Sequence, residues 1–354
     1  MKPRTKKILN FILIFGTLGI VLLIGFNGVN VNDMLDAFRK SAPEWIAVCC
    51  LCYFLYIFFD ALCVWVYLHY QGRRVSIPYA IFVAVEGAYY CGITPGSSGG
   101  QPMQVYYLSK RSVPIGLSTS ALVVKQFCFQ FMLFLFDVVL WVGHQDFVTA
   151  TLGGNRWIFL TGFFYNTFVV ALLLLMAVNK RIVHALITFC IKIGTKLHIV
   201  KDPESSRVKW EDVMETYHSS IQHLTRHPSQ LLVQMLVTCA QMFVYLVIPY
   251  CVFAALHTGL RFDEVLTMSS LLFTSAGYTP LPGASGAQEG FFSLFFSPMC
   301  PSAGVIFPAL LLWRFFTFYI TLIIGGITNF FSTAIVHKGE KEQDSPSKST
   351  QEKI

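Results

Sequence analysis

Thr94-Pro-Gly-Ser-Ser-Gly-Gly-Gln101 and Thr279-Pro-Leu-Pro-Gly-Ala-Ser-Gly-Ala-Gln288 are two polar, glycine-rich interruptions of an otherwise very apolar chain, and they read almost alike. Both begin Thr-Pro, and once a two-residue offset is allowed both continue Pro-Gly-x-Ser-Gly-x-Gln. Proline removes a rung of the helical hydrogen-bond ladder, and glycine permits tight turns and close backbone approach. A helix-breaking element repeated in corresponding parts of a membrane protein points to a substrate site between the repeats.

The surrounding composition defines the class. Hydrophobic residues make up 55% of the chain and charged ones 13%, with 33 Phe and a mean hydropathy of +0.59, far from the balance of a soluble domain. The net charge of +7 is carried by loops, with no basic stripe or stacking platform beside it, so it speaks for membrane orientation and against nucleic-acid binding. Most of the ten cysteines are dispersed in apolar segments without a metal-type pair, and read as small buried hydrophobes.

About 20 apolar residues cross about 30 Å of hydrocarbon. The candidate spans are 8–26, 45–70, 114–143, 157–178, 229–256 and 303–333. The first follows Lys2, Arg4, Lys6 and Lys7 and has no convincing cleavage site, so it is expected to remain as an uncleaved span with its basic end in the cytoplasm. Placing Arg73/Arg74, Lys110/Arg111, Lys180 through Lys209, Arg226 and Lys338 on that same side requires residues 77–108 to enter and return. The same parity makes 262–300 a second hairpin entering from the opposite face. The expected fold class is therefore an all-α polytopic membrane protein with six full spans, two oppositely entering re-entrant helical hairpins and an inverted-repeat architecture within residues 1–335. Residues 180–228 are expected to form a cytoplasmic amphipathic connection, and 336–354 a disordered cytoplasmic tail.

Ionisable residues inside apolar segments mark candidate sites. These are Glu86 in the first arm of hairpin one, Lys125 in the next span, Glu289 directly after the second motif and Arg314 in the last span; Asp60 and Asp137 are expected nearer helix ends. Lys125 follows Gln101 by 24 residues and Arg314 follows Gln288 by 26, which supports a repeat. A cation beside half-helix amino termini suits a phosphate or another anionic head group, and Ser98, Gln101, Ser285 and Gln288 can coordinate it. Pro95, Gly96, Gly99, Gly100, Pro282, Gly283 and Gly286 are expected to shape the turns. The blander reading is that Glu86–Lys125 and Glu289–Arg314 are structural ion pairs, and that the loop side chains merely satisfy hairpin backbone. Nucleophile-elbow, Walker and His-Glu-x-x-His patterns do not occur, the spacing of His218, His223 and His227 is nondescript, and no metal or cofactor is expected.

The runs Glu86-Gly-Ala-Tyr-Tyr-Cys-Gly-Ile-Thr-Pro-Gly-Ser-Ser-Gly-Gly-Gln101 and Thr274 through Phe292, with the segment around Arg314, resemble the transmembrane flippase region of the lysylphosphatidylglycerol synthase/flippase (multiple peptide resistance factor) family. The resemblance covers roughly residues 8–335. It implies movement of an anionic or aminoacylated phospholipid, such as lysylphosphatidylglycerol, between leaflets of the bacterial cytoplasmic membrane, in a stand-alone form without the cytoplasmic transferase domain. Both termini are then cytoplasmic, membrane phospholipids are the partners, and a homodimer and a separately encoded lipid-modifying enzyme are compatible with it. A flippase for a polyprenyl-phosphate or glycolipid carrier is the alternative, and an integral membrane lipid transferase a further one.

Overall fold

The computed structural model describes residues 39–178, 227–277 and 279–344, together with isolated helical positions at 188, 215 and 219. All regular structure among the described residues is helical. It begins with α1 (Pro43–Tyr70), where a proline in the first turn and Glu44 beside it start the helix, and Gly72 with φ 71° follows its end. Then come α2 (Ile77–Ile93), a 3₁₀ turn over Pro95–Ser97, and α3 (Gly100–Ser109). Helix α4 (Ile115–Gly143) is followed by the short α5 (Gln145–Leu152) and by α6 (Arg156–Val178).

The second half opens with α7 (Pro228–Ala255), again with proline in the first turn. It is followed by α8 (Phe262–Ala276), a 3₁₀ turn over Pro282–Ala284 and α9 (Ala287–Phe296). The last long helix is built from α10 (Ala303–Arg314), a π-helical turn over Phe315–Tyr319 and α11 (Ile320–Asp344).

Among the described residues, five segments are long and apolar enough to cross a membrane: Pro43–Tyr70, Ile115–Gly143, Gln145–Leu175, Pro228–Ala255 and Gly304–Ser332. They overlap five of the expected spans, with the one expected at 157–178 beginning earlier, at Gln145. The sixth, 8–26, and most of the expected connection at 180–228 lie outside the described residues. Residues 145–152 between the third and fourth expected spans form α5. The last helix is described as far as Asp344.

Helix association in lipid relies on close packing and polar contacts, since lipid tails are as apolar as leucine. The most extensive pairing is α1 against α7, which run antiparallel: Ala42 N–H bonds Ala255 C=O at one end, while Gln241 reaches Asp60 and Gln234 reaches the Cys63 carbonyl further along. Glycines set the tightest approaches elsewhere. A Cβ on Gly100 would stand 2.2 Å from Cys91 Sγ and 2.6 Å from the Gly87 carbonyl, which is how α2 and α3 close into a hairpin. Gly325 likewise admits the Tyr89 side chain between α11 and α2, and Gly162 lets α6 approach the Thr274 carbonyl of α8. Behind the second hairpin, Phe253, Phe292, Phe296 and Trp313 form an aromatic core, with Phe292 and Trp313 stacked at 4.8 Å. Leu51, Phe54, Val139, Phe164, Leu236 and Phe330 are exposed on the outer faces.

Candidate functional site

The two motifs adopt matching turns. Gly96 and Gly283 have φ of 58° and 59°, and the residues after them, Ser97 and Ala284, have φ of 55° and 50°. Two consecutive left-handed residues reverse the chain within one 3₁₀ turn, and glycine removes the Cβ penalty at the first of them. Pro95 and Pro282 open these turns, and the residue before each is extended, as proline demands. The turns also meet: Gly96 N–H donates to the Pro280 carbonyl at 2.9 Å. Segments separated by about half the chain thus form one irregular patch where four helix ends converge.

Arg314 lies beside that patch, 1% exposed, at the point where α10 passes into the π turn. Its Nε and Nη2 both lie 2.6 Å from Glu289 Oε1, Nη1 donates to Gln288 Oε1 at 2.7 Å, and Nη2 reaches the Gly283 carbonyl at 3.3 Å. Its guanidinium stands 4.9 Å from the Phe318 ring centre. The other Glu289 oxygen accepts the Gly286 N–H at 2.6 Å, so the amino terminus of α9, expected to be open to an anion, is already filled by a carboxylate of the same chain. The Glu289–Arg314 pair of the blander reading is therefore formed. Ser285 beside it is 6% exposed, and its Oγ has no hydrogen-bond partner among the described residues.

The pairing expected in the first half is not formed. Lys125 Nζ lies 2.9 Å from both Asp60 oxygens and 3.3 Å from Gln104 Oε1, and Gln241 of α7 donates to Asp60 Oδ1 at 3.0 Å. Asp60 belongs to the middle of α1 and not to its end, and it faces Lys125 of α4 directly. Glu86 is fully buried and instead accepts from Thr328 Oγ1 at 2.6 Å and Asn329 Nδ2 at 2.8 Å on α11, with Tyr107 Oη at 3.4 Å. Asp137 is nearer the end of α4, as expected, but is buried and bonded to Ser270 and Thr274 of α8.

The remaining loop residues divide. Ser98 is exposed and its Oγ–H caps the Pro95 carbonyl, while exposed Gln101 donates to Gln126 at 3.3 Å. Thr94 Oγ1 takes the Gly99 N–H at 2.8 Å, as Glu289 takes the Gly286 N–H in the second break. Gly99 is in the right-handed region, whereas its counterpart Gly286 has φ 87°. Gly100 serves the close approach of α2 and α3.

Sequence reasoning passed over Gln104, Thr328, Asn329 and a polar stripe on α7. Gln230, Gln234, Thr238 and Gln241 follow one another at helical spacing, and all are buried. That periodicity inside an apolar span was the available signal. Among the described residues no group of three or more His, Cys, Asp and Glu side chains is placed to hold a metal ion.

Long apolar helices, two helix breaks joined at their turns and the buried Arg314–Glu289 pair beside them define a polytopic helical membrane protein. Residues 8–325 match the family model described as the lysylphosphatidylglycerol synthase TM region, and the chain belongs to that family. It is also 25% identical over 263 residues to a "UPF0104 membrane protein" of Archaeoglobus fulgidus, an alignment that covers 73% of this chain and 78% of the relative.

Proposed function

We propose that this protein moves an anionic or aminoacylated phospholipid, of the lysylphosphatidylglycerol type, between membrane leaflets. The supporting observation is the junction of the two breaks through Gly96 and Pro280, with the Arg314–Glu289–Gln288 cluster buried against it. In this reading the hairpins 77–108 and 262–300 are re-entrant from opposite faces and relate two inverted halves, with six crossings in all. Irregular backbone at membrane depth is tolerated where it is buried in protein or lines a wet cavity, and a site between inverted repeats opens alternately to either side.

The head group passes between the hairpins while its tails stay in lipid. Its phosphate exchanges with the Glu289 carboxylate and the Gln288 carbonyl for the Arg314 fork, and the unpartnered Ser285 hydroxyl supplies a further contact. A cationic aminoacyl group is balanced by the released Glu289, and Lys125–Asp60 and Glu86 line the first-hairpin side. With an aminoacylated head group the released Glu289 keeps the Gly286 N–H and gains the ammonium, so the exchange strands no bare charge in a medium of low dielectric.

The test is leaflet exchange of labelled lysylphosphatidylglycerol, phosphatidylglycerol and a polyprenyl phosphate in proteoliposomes. Exchange of the aminoacylated lipid is expected, falling at least about tenfold in folded Arg314→Ala. Preferential exchange of the polyprenyl phosphate would reassign the substrate. No exchange of any lipid by folded protein would overturn the reading.

A further inference from the structure

Asp137 has no part in the head-group chemistry above, yet it is the buried carboxylate with the poorest compensation. It projects from α4, is fully buried, and receives Ser270 Oγ–H on Oδ1 at 2.6 Å and Thr274 Oγ1–H on Oδ2 at 2.5 Å. No ion pair involves it among the described residues. Among the elements packed on α4, α7 and α3 carry no charged residue, α6 only Arg156 at its exposed start, and α5 only Asp146 in its first turn. From α1, Asp60 is engaged with Lys125, and Glu44 and His69 lie at the helix ends. From α8, the charged groups are Asp263 and Glu264 in its first turn, with Arg261 just before them. An ionised carboxylate held only by two hydroxyls at membrane depth is expensive, and proton uptake relieves it.

A polar seam leads to it. Asp263, Thr267, Ser270 and Thr274 occupy one face of α8 at helical spacing, turned toward α4. At the outer end Asp263 Oδ2 stands 3.3 Å from His144 Nε2, and His144 Nδ1 stands 3.3 Å from Thr267 Oγ1. Both Asp263 and His144 are partly open to solvent, with 38% and 27% of their side chains exposed. Histidine is the side chain that exchanges protons readily near neutral pH. From Thr267 to Ser270 is less than one turn along the same face, and Ser270 touches the carboxylate.

We infer that Asp137 is an intramembrane proton-binding site, loaded through the His144–Asp263 end of the α4–α8 seam, and that its occupancy governs the grip of α4 on the second hairpin. Ionised, the carboxylate accepts from both hydroxyls of α8. Protonated, its own O–H donates, so one of those two hydroxyls must turn from donor to acceptor, and charge-assisted bonds give way to weaker neutral ones. Since α8 is the first arm of the hairpin that presents Arg314 with its partners, the proton state biases head-group passage; this last link rests on the function proposed above.

Two measurements on the purified full chain separate the inferences. Infrared difference spectra of reconstituted protein follow the protonated-carboxyl stretch with pH, and lipid distribution between leaflets is followed under an imposed pH gradient. The expected result is a carboxyl band that titrates in the wild type, is missing in Asp137→Asn, and shifts to higher pH in Ser270→Ala, which removes a donor to the ionised form. Lipid distribution should follow the gradient by up to about tenfold per pH unit for one coupled proton, and should ignore it in Asp137→Asn. A titrating Asp137 band without any lipid exchange would uphold the proton site and overturn the translocation reading. Exchange indifferent to the gradient, with no Asp137 band at any pH, would overturn the proton site and leave translocation standing.

Discussion

Arg314 illustrates how a buried cation is retained in this fold. Three nitrogens are shared among Glu289, Gln288 and the Gly283 carbonyl, and the same Glu289 caps α9. Removing one member of a buried pair strands the other, at about 3–5 kcal/mol, whereas removing both avoids that penalty. Glu289→Ala is therefore expected to lower thermal stability in detergent sharply, and Glu289→Ala/Arg314→Ala to recover part of the loss. Additive losses in that cycle would show that the pair does not act as a unit. Arg314→Lys is not a conservative change here, because a single ammonium cannot reproduce the planar fork. The sequence pointed to Arg314 and Glu289 because charges in apolar runs are rare. It could not pair Lys125 with Asp60 over Glu86, since both carboxylates are distant in the chain and only helix register decides which one lies opposite the ammonium.

At the scale of elements, the two turns share their dihedral angles but not their surroundings. Alanine at Gly96 or Gly283 pays about 1–2 kcal/mol for a left-handed conformation. At Gly96 nothing lies within 4 Å of the added Cβ, while at Gly283 it would meet the Phe318 ring at 2.2 Å. Gly283→Ala is thus expected to destabilise the protein clearly more than Gly96→Ala, measured by thermal melting, and equal effects would contradict the packing of the second turn against the π segment. That π turn sits directly after Arg314, and such bulges often occur at functional positions. The helix–break–helix pattern was legible from proline and glycine alone. The polar face of α7 was less so, because Gln230, Gln234, Thr238 and Gln241 are neutral and a search for charges passes over them.

For the molecule as a whole, the proposed topology has a direct check. Single cysteines at Arg74 and Ser112, on either side of the first hairpin, should react with a membrane-impermeant thiol reagent from one face only. Cysteines at Arg261 and Ser302, flanking the second, should react only from the opposite face. Labelling of positions 74 and 112 from different faces would make 77–108 a crossing and remove the inverted repeat. The amino-acid sequence by itself determined the membrane class, the position of five long helices and the two breaks, because hydropathy, proline and glycine act locally through solvation and backbone geometry. The tertiary structure alone decided that the breaks touch through Gly96 and Pro280, that Asp60 and not Glu86 holds Lys125, and that Asp137 is gripped by α8. Those outcomes depend on how rigid helices rotate and slide to bury their polar atoms against one another, and that register is a property of the packed assembly.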